Sequence, residues 1–509
     1  MKQIWRRWWW VVPVLALLVL AVMPPDVYGR PGGGSSYSGG GSSGGGGGSW
    51  SGGGGGGGGD GDVIGLIILM IQYPYVSVPV VVLIILYRIY ASRRATPTET
   101  IASHSGRENM IWNRRKVDNA LWDFRQDQDT AFSQTLFLDF AQHLYYQYHH
   151  HRTHPEMANL RPYFNDEIIE NAMPKGSFRI DVTELVVASV DFVSLYTQPK
   201  YTTIAVRFDT NYTETIDGHS NRWWAVEVWY FTREAGLLSP EPDKLAAAGC
   251  PNCGAALVLG PTGECSQCHT VVQPGSKNWF VSGISISNRE AQSGSPVGTY
   301  APEQGTNLPT LFDPRLATMG KRFVEAHKIE TITDYEVTFR EKVVEPIFRA
   351  VYRSWSERDY SPARPVMSDN LFRSHLYWIE TYREHKRINR LDNLKVTSVQ
   401  LVKLDLDQYY EAVTVRIFAN CLDYLTDESG KVVAGNPKNP RVFSEYWTFV
   451  RRTGVEADEK QYNPDNCPNC GAPVNMGMTG VCSYCNSKVT TGDFGWILSR
   501  ITQDETYYG

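Results

Sequence analysis

An excess of positive charge is the first thing this sequence lacks: 49 Lys and Arg stand against 54 Asp and Glu in 509 residues, a net charge of −5. Binding to nucleic acid needs a basic surface, so no nucleic-acid partner is expected. No nucleophile, base and set of oxyanion donors occur together, so the chain is not expected to be an enzyme. Cysteine is scarce at nine residues, and eight of the nine fall in two short clusters. Charge is absent altogether from Val63 to Tyr87, a run of 25 residues. At about 150 residues per domain the length allows two to four structural units.

The chain begins with a basic start, an apolar stretch from Trp8 to Met23, and Val27-Tyr28-Gly29 as a cleavage site, so residues 1–29 are expected to be a signal peptide or first hydrophobic segment. Residues 30–62 are almost wholly Gly and Ser, a tether that cannot bury apolar area. Residues 63–87 exceed the ~20 needed to cross a bilayer and predict a transmembrane helix, tilted or kinked at Pro74 and Pro79. Arg88, Arg93 and Arg94 follow it while Asp60 and Asp62 precede it, which places residue 88 onward in the cytoplasm. The expectation is a single pass of a bacterium's plasma (inner) membrane after signal cleavage, with a juxtamembrane linker over 88–109.

The rest reads as one unit written twice. Glu227 to Gly236 (EVWYFTREAG) returns as Glu445 to Gly454 (EYWTFVRRTG), and Arg161 to Asp166 (RPYFND) returns as Arg364 to Asp369 (RPVMSD). Beyond the last cysteine of each copy the register holds without a gap, from Val272 and Val489 through Trp279 and Trp496 to Ile284 and Ile501. Domains are therefore predicted over 110–287 and 313–503, with a Gly/Pro-rich linker over 288–312 between them. In each, helical segments come first (130–148 and 335–355). Strands follow at 181–195, 201–215, 223–233 and 278–287, and at 394–406, 409–423, 441–452 and 494–503.

Between the third and fourth strands of each copy runs C-x2-C-x11-C-x2-C: Cys250, Cys253, Cys265 and Cys268 over 250–268, then Cys467, Cys470, Cys482 and Cys485 over 467–485. Four thiolates on two turns suit tetrahedral Zn2+, so two structural zinc sites per chain are predicted, each folding a segment too small for a core. Cys265, Cys268 and His269 also spell the attachment signature of a c-type haem. Against haem, Asn486 stands where the first copy has His269, and Cys250 and Cys253 would be left over. Disulfides fit poorly with a reducing compartment. His269 is then a surface neighbour of the site, and Cys421, alone in an apolar strand, a core residue.

These strings resemble known families. The C-P-x-C-G knuckles are similar to those of zinc ribbons. Trp355, Asp359, R-P-x-x-x-D and then E-x-W-x-F-x-R resemble the Tim forty-four-like domain family, most clearly from Phe348 to Arg452. That family comprises the mitochondrial inner-membrane import-motor tether and bacterial membrane-anchored relatives. The resemblance implies an α+β fold, a nuclear transport factor 2-like cone with helices on a curved antiparallel sheet. This sequence departs from the family in its duplication and its inserted ribbons, so two such cone domains are expected, each with a zinc ribbon between its last two strands.

By the period of two, Glu227, Trp229, Phe231 and Arg233 share one strand face, as do Glu445, Trp447, Phe449 and Arg451. The expectation is a core-lining aromatic pair flanked by a rim ion pair, at which Glu→Gln would change little. The sharper alternative is a pocket with a carboxylate at its mouth. His149, His150, His151 and His154 are expected at a solvated helix end, because the second copy has no histidine there. The function expected is a membrane-anchored cytoplasmic scaffold binding proteins or the membrane surface, in protein transport or membrane-protein assembly. The alternative is a small-molecule or enzymatic pocket with Glu227 or Glu445 as base. Nucleic-acid binding through the ribbons ranks last, since "GAALVLGPTGE" and "GAPVNMGMTGV" carry no basic residue.

Overall fold

Ser133 caps the helix that the apolar spacing predicts: its hydroxyl accepts from the Leu136 amide, satisfying one of the free donors of the first turn. In the computed structural model this helix, α2, spans Gln134–His151 and turns Phe137, Phe140, Ala141, Leu144 and Tyr145 inward at three- and four-residue intervals. A preceding helix, α1 (His104–Asp127), and a short one, α3 (Asp166–Ala172), complete the first helical layer. The structure describes residues 104–242, 253, 267–270, 274–292, 305–455, 466–473, 476 and 479–509. The expected signal segment, Gly/Ser linker and transmembrane helix lie outside them, as do Cys250 and Cys265 of the first ribbon. Among the described residues no helix is long and apolar enough to cross a membrane.

Four antiparallel strands follow: β1 (Asp181–Thr197), β2 (Tyr201–Ile216), β3 (His219–Glu234) and β4 (Phe280–Ala291), paired in that order. A second set of helices comes next, α4 (Leu316–His327), α5 (Ile332–Phe339), α6 (Glu345–Glu357) and α7 (Asp369–Glu384). The unbroken helix expected over 335–355 is interrupted by a π turn at Arg340–Val344. Pro346 explains it, having no N–H for the Lys342 carbonyl and a ring that crowds it. The second sheet holds β5 (Arg387–Leu406), β6 (Tyr410–Asp427), β8 (Arg441–Arg452) and β9 (Ile497–Gln503) in that order, with β7 (Val432–Gly435) on β6.

Both sheets bulge at the same step, between Phe192 and Ser194 and between Leu401 and Lys403. Each sheet buries one face under helices, giving two apolar cores centred on Trp229 and Trp447. The cores are not sealed from each other, since Tyr410, Val450 and Ile497 join the first and Trp122 the second. Charged and polar contacts also cross: Arg125 to Asp405 at 2.8 Å, Lys403 to Asp118 at 3.0 Å, and the Ser374 hydroxyl donating to the Val187 carbonyl. The mixture of helices and antiparallel sheet is an α+β fold.

Candidate functional site

Strand alternation points Glu227, Trp229, Phe231 and Arg233 to the helix side of β3, and all four are buried. Glu445, Trp447, Phe449 and Arg451 occupy the same face of β8 and are also buried. The rim expected for the charged pair is not where the glutamates lie. Glu445 is 0% exposed, beneath the aromatic layer.

A buried carboxylate needs donors, and each glutamate has a matching set. Trp229 Nε1 donates to Glu227 Oε2 at 2.8 Å, and the Tyr145 hydroxyl, from α2, donates to Oε1 at 3.1 Å. In the second sheet Trp447 Nε1 donates to Glu445 Oε2 at 2.8 Å and the Tyr352 hydroxyl, from α6, at 3.1 Å. Helix, strand and indole thus meet on one carboxylate twice. The two tyrosines were not singled out in the sequence. A signal existed, since Tyr148 and Trp355 align as counterparts and Tyr145 and Tyr352 lie three residues before each.

The first site has a further member. His149, one helical turn after Tyr145, is 2% exposed, with Nε2 3.4 Å from Glu227 Oε1 and its ring 4.3 Å from that of Tyr145. The solvated helix end expected for the histidine run therefore fails at His149, which the helix phase turns inward. Only His150 of the four is exposed. Burial depresses the His149 pKa against the pull of Glu227, so the ring is neutral near pH 7. Burial works against the Glu227 carboxylate too, but His149, Trp229 and Tyr145 together hold its pKa down at about 2.

The arginines do not pair with these glutamates. Arg233 lies over the Trp279 ring at 4.2 Å and bonds Asp129 from the α1–α2 turn. Arg451 lies over Trp496 at 4.4 Å but bonds Glu411 of β6 at 2.7 Å. The ring partner is common to both; the counterion is not.

The second cysteine quartet forms a site that could hold a metal ion. The Sγ atoms of Cys467, Cys470, Cys482 and Cys485 all lie within 4.8 Å of one another, with Cys467 to Cys485 at 3.9 Å and Cys470 to Cys482 at 4.0 Å. Four thiolates about 2.3 Å from one tetrahedral ion stand about 3.8 Å apart, so the geometry fits with slight contraction. Each pair sits on a turn closed by backbone bonds, Gly471 N to Cys467 O and Asn486 N to Cys482 O, with Gly471 and Asn486 in the left-handed region. His269 has the same backbone sign as Asn486, at φ 54°, and its side chain is exposed. Donation from Ser487 and Asn469 pulls the Cys485 thiol down to about 6, whereas burial pushes Cys467 up to about 11. In the first quartet Cys253 is exposed and Cys268 half-buried. Cys421 is a buried core thiol.

The R-P-x-x-x-D string seats the second module. Asp369 accepts from Arg364 at 2.5 Å and from Thr490 at 2.9 Å and pairs with Lys488 at 2.9 Å, while Ser368 caps α7. Its first-half counterpart, Arg161, reaches Glu170 at 2.9 Å on the surface.

A family model for the Tim44-like domain matches residues 332–462. That span contains the string from Phe348 to Arg452 that carries the resemblance. No curated protein matches the chain. Among solved structures, an "Ntf2 like protein involved in plasmid conjugation" is similar at 7% identity with a TM-score of 0.14, over 68% of this chain and 86% of that one. The Tim44-like match supports a protein-binding or membrane-associated role.

Proposed function

We propose that this chain is a membrane-anchored scaffold whose two halves are copies of one Tim44-like, cone-shaped unit, each carrying a zinc ribbon. In this reading the uncharged run at 63–87 anchors the protein, and residues 95–509 work in the cytoplasm by holding a partner protein or the membrane surface, in protein transport or membrane-protein assembly. The observation that carries it is the filling of both interiors: Trp229, Trp279, Trp447 and their neighbours are fully buried, and each glutamate has its donors in place. A unit packed in this way offers surfaces for function. In the ribbons, Cys467, Cys470, Cys482 and Cys485, and by sequence Cys250, Cys253, Cys265 and Cys268, would hold zinc as a structural ion.

One observation favours the second reading, a small-molecule or enzymatic pocket: the His149–Glu227 pair, a neutral imidazole beside a carboxylate, has no counterpart beside Glu445, where Ser356 holds the place of His149. Glu227→Gln separates the two. In a scaffold it leaves partner crosslinking in step with the folded fraction. A variant that stays folded, keeps its crosslinks and yet loses a turnover or a bound small molecule refutes the scaffold. Protease added outside intact cells is expected to spare residues 95–509.

A further inference from the structure

The two sheets differ most on the faces turned away from their helices. In the second sheet that face is covered. Arg416 is 1% exposed: its Nη1 donates to the Leu308 carbonyl at 2.8 Å and to Thr310 Oγ1 at 2.9 Å, and its Nε lies 3.0 Å from Asp504. Tyr446 stacks on Tyr507 with ring centres 3.7 Å apart, and its hydroxyl accepts from the Leu311 amide. The bulged residue Val402 is 0% exposed beneath this cover. Two stretches flanking the second half supply it, one ahead of α4 and one after β9.

In the first sheet nothing among the described residues covers the same positions. Arg207 pairs across the strands with Asp191 and Val228, as Arg416 does with Gln400 and Tyr446. Yet the Arg207 side chain is 39% exposed, with Asp209 no closer than 3.7 Å. Val193, the bulge counterpart of Val402, is 42% exposed. On the same face, by the period of two, Tyr196, Tyr201 and Tyr230 are all exposed.

We propose that this face docks an acidic segment of a partner protein, which places a carboxylate on Arg207 and an aromatic or leucine side chain over Val193 and Val228. The covered twin supplies the template, because there a guanidinium takes a carboxylate and carbonyls while the valine beside it takes a tyrosine and a leucine. Charge agrees: Arg500 at 3.1 Å and Arg114 at 3.6 Å hold the Asp191 carboxylate beside Arg207, whose own nearest carboxylate is Asp209 at 3.7 Å. Composition agrees too, since tyrosine and arginine are enriched where proteins meet and an exposed apolar patch marks such surfaces. The proposal rests on reading the two halves as copies.

The probe is a fluorescent peptide with the sequence of residues 501–509, ITQDETYYG, titrated into the full-length protein and read by anisotropy. Saturable binding is expected, weakened at least ten-fold by Arg207→Glu or Val193→Asp, and likewise when the peptide's aspartate is replaced by asparagine. Both protein variants change exposed side chains and should melt with the wild type. Absence of saturable binding, or binding that Arg207→Glu leaves unchanged, overturns the proposal. So does sedimentation showing a dimer that Arg207→Glu dissociates, for then a second copy occupies the face. The copy reading is tested separately by Arg416→Glu, which should open residues 504–509 to proteolysis; a tail that stays protected refutes the template itself.

Discussion

Replacing Glu227 by glutamine removes one charge and one acceptor from a buried site in which the Trp229 indole can only donate. Trp229 Nε1 and the Tyr145 hydroxyl point at different oxygens of the carboxylate, at 2.8 and 3.1 Å. A glutamine can keep its carbonyl on the indole and turn its NH2 toward the Tyr145 hydroxyl, which must then accept and donate instead to Thr210 Oγ1 at 2.9 Å. Losing bonds to a charged acceptor costs about 1.5–3 kcal/mol. Relief from burying a charge offsets part of this, so about 2 kcal/mol is expected. For a unit of this size that lowers the melting temperature of the first half by roughly 4–8 °C. Acidity supplies the second measurement. Folding depresses the Glu227 pKa from the ordinary 4.5 to about 2, so its contribution is full above pH 4.5 and is lost as pH falls toward 2. The amount at stake is about 3 kcal/mol, by the value of a pKa unit. Thermal unfolding followed by tryptophan fluorescence between pH 2 and 7 should show this acid loss in the wild type and a shallower one in Glu227→Gln. A variant that melts within a degree of the wild type, with the same acid limb, would refute the buried-acceptor argument.

His375 is fully buried, and burial lowers its pKa from 6.5 to about 4. The unfolded chain therefore takes up a proton first, and the second half should lose up to about 3 kcal/mol as pH falls from 6.5 to 4, a loss that equilibrium denaturation should not find in His375→Gln. Trp447→Ala empties the centre of the second core and should cost about 3–5 kcal/mol in the same assay, enough to remove partner crosslinking along with the fold. Cys470→Ser should lower the zinc content from two ions to one per chain by elemental analysis, and protein with no zinc at all would end the ribbon assignment.

The face that buries Glu445, Trp447, Phe449 and Arg451 was legible because a strand's period is short and local, and the C-x2-C turns because ligand spacing is equally local. What the sequence hid depends on contacts between distant residues. Tyr145 meets Glu227 across 82 positions and Tyr352 meets Glu445 across 93, and no window of sequence holds both partners. His149 is a different case: the absence of histidine from the second copy points to a solvated helix end, whereas the helix phase from Tyr145 turns this residue inward. β5 starts at Arg387, seven residues before the strand expected at 394, because the bulge between Asp392 and Lys395 breaks the alternation that marks a strand.

If the halves are copies, the residues they share and those they do not separate folding from function. Shared are the indole donating to a carboxylate, the tyrosine reaching it from a helix, and the arginine lying on a tryptophan. All of these are buried, and each satisfies a donor or a charge that burial would otherwise leave expensive. The counterion of that arginine is unconstrained by the shared geometry, and it has moved from Asp129 beside α2 to Glu411 on β6. Differences that stability does not require accumulate on the outer faces: Arg416 lies under a cover made by its own chain, while Arg207 and three tyrosines stand open. A purely structural duplication would gain by covering both faces alike, because exposed valine and tyrosine add nothing to folding. Among the described residues only the second face is closed, which places the search for a partner on β1, β2 and β3.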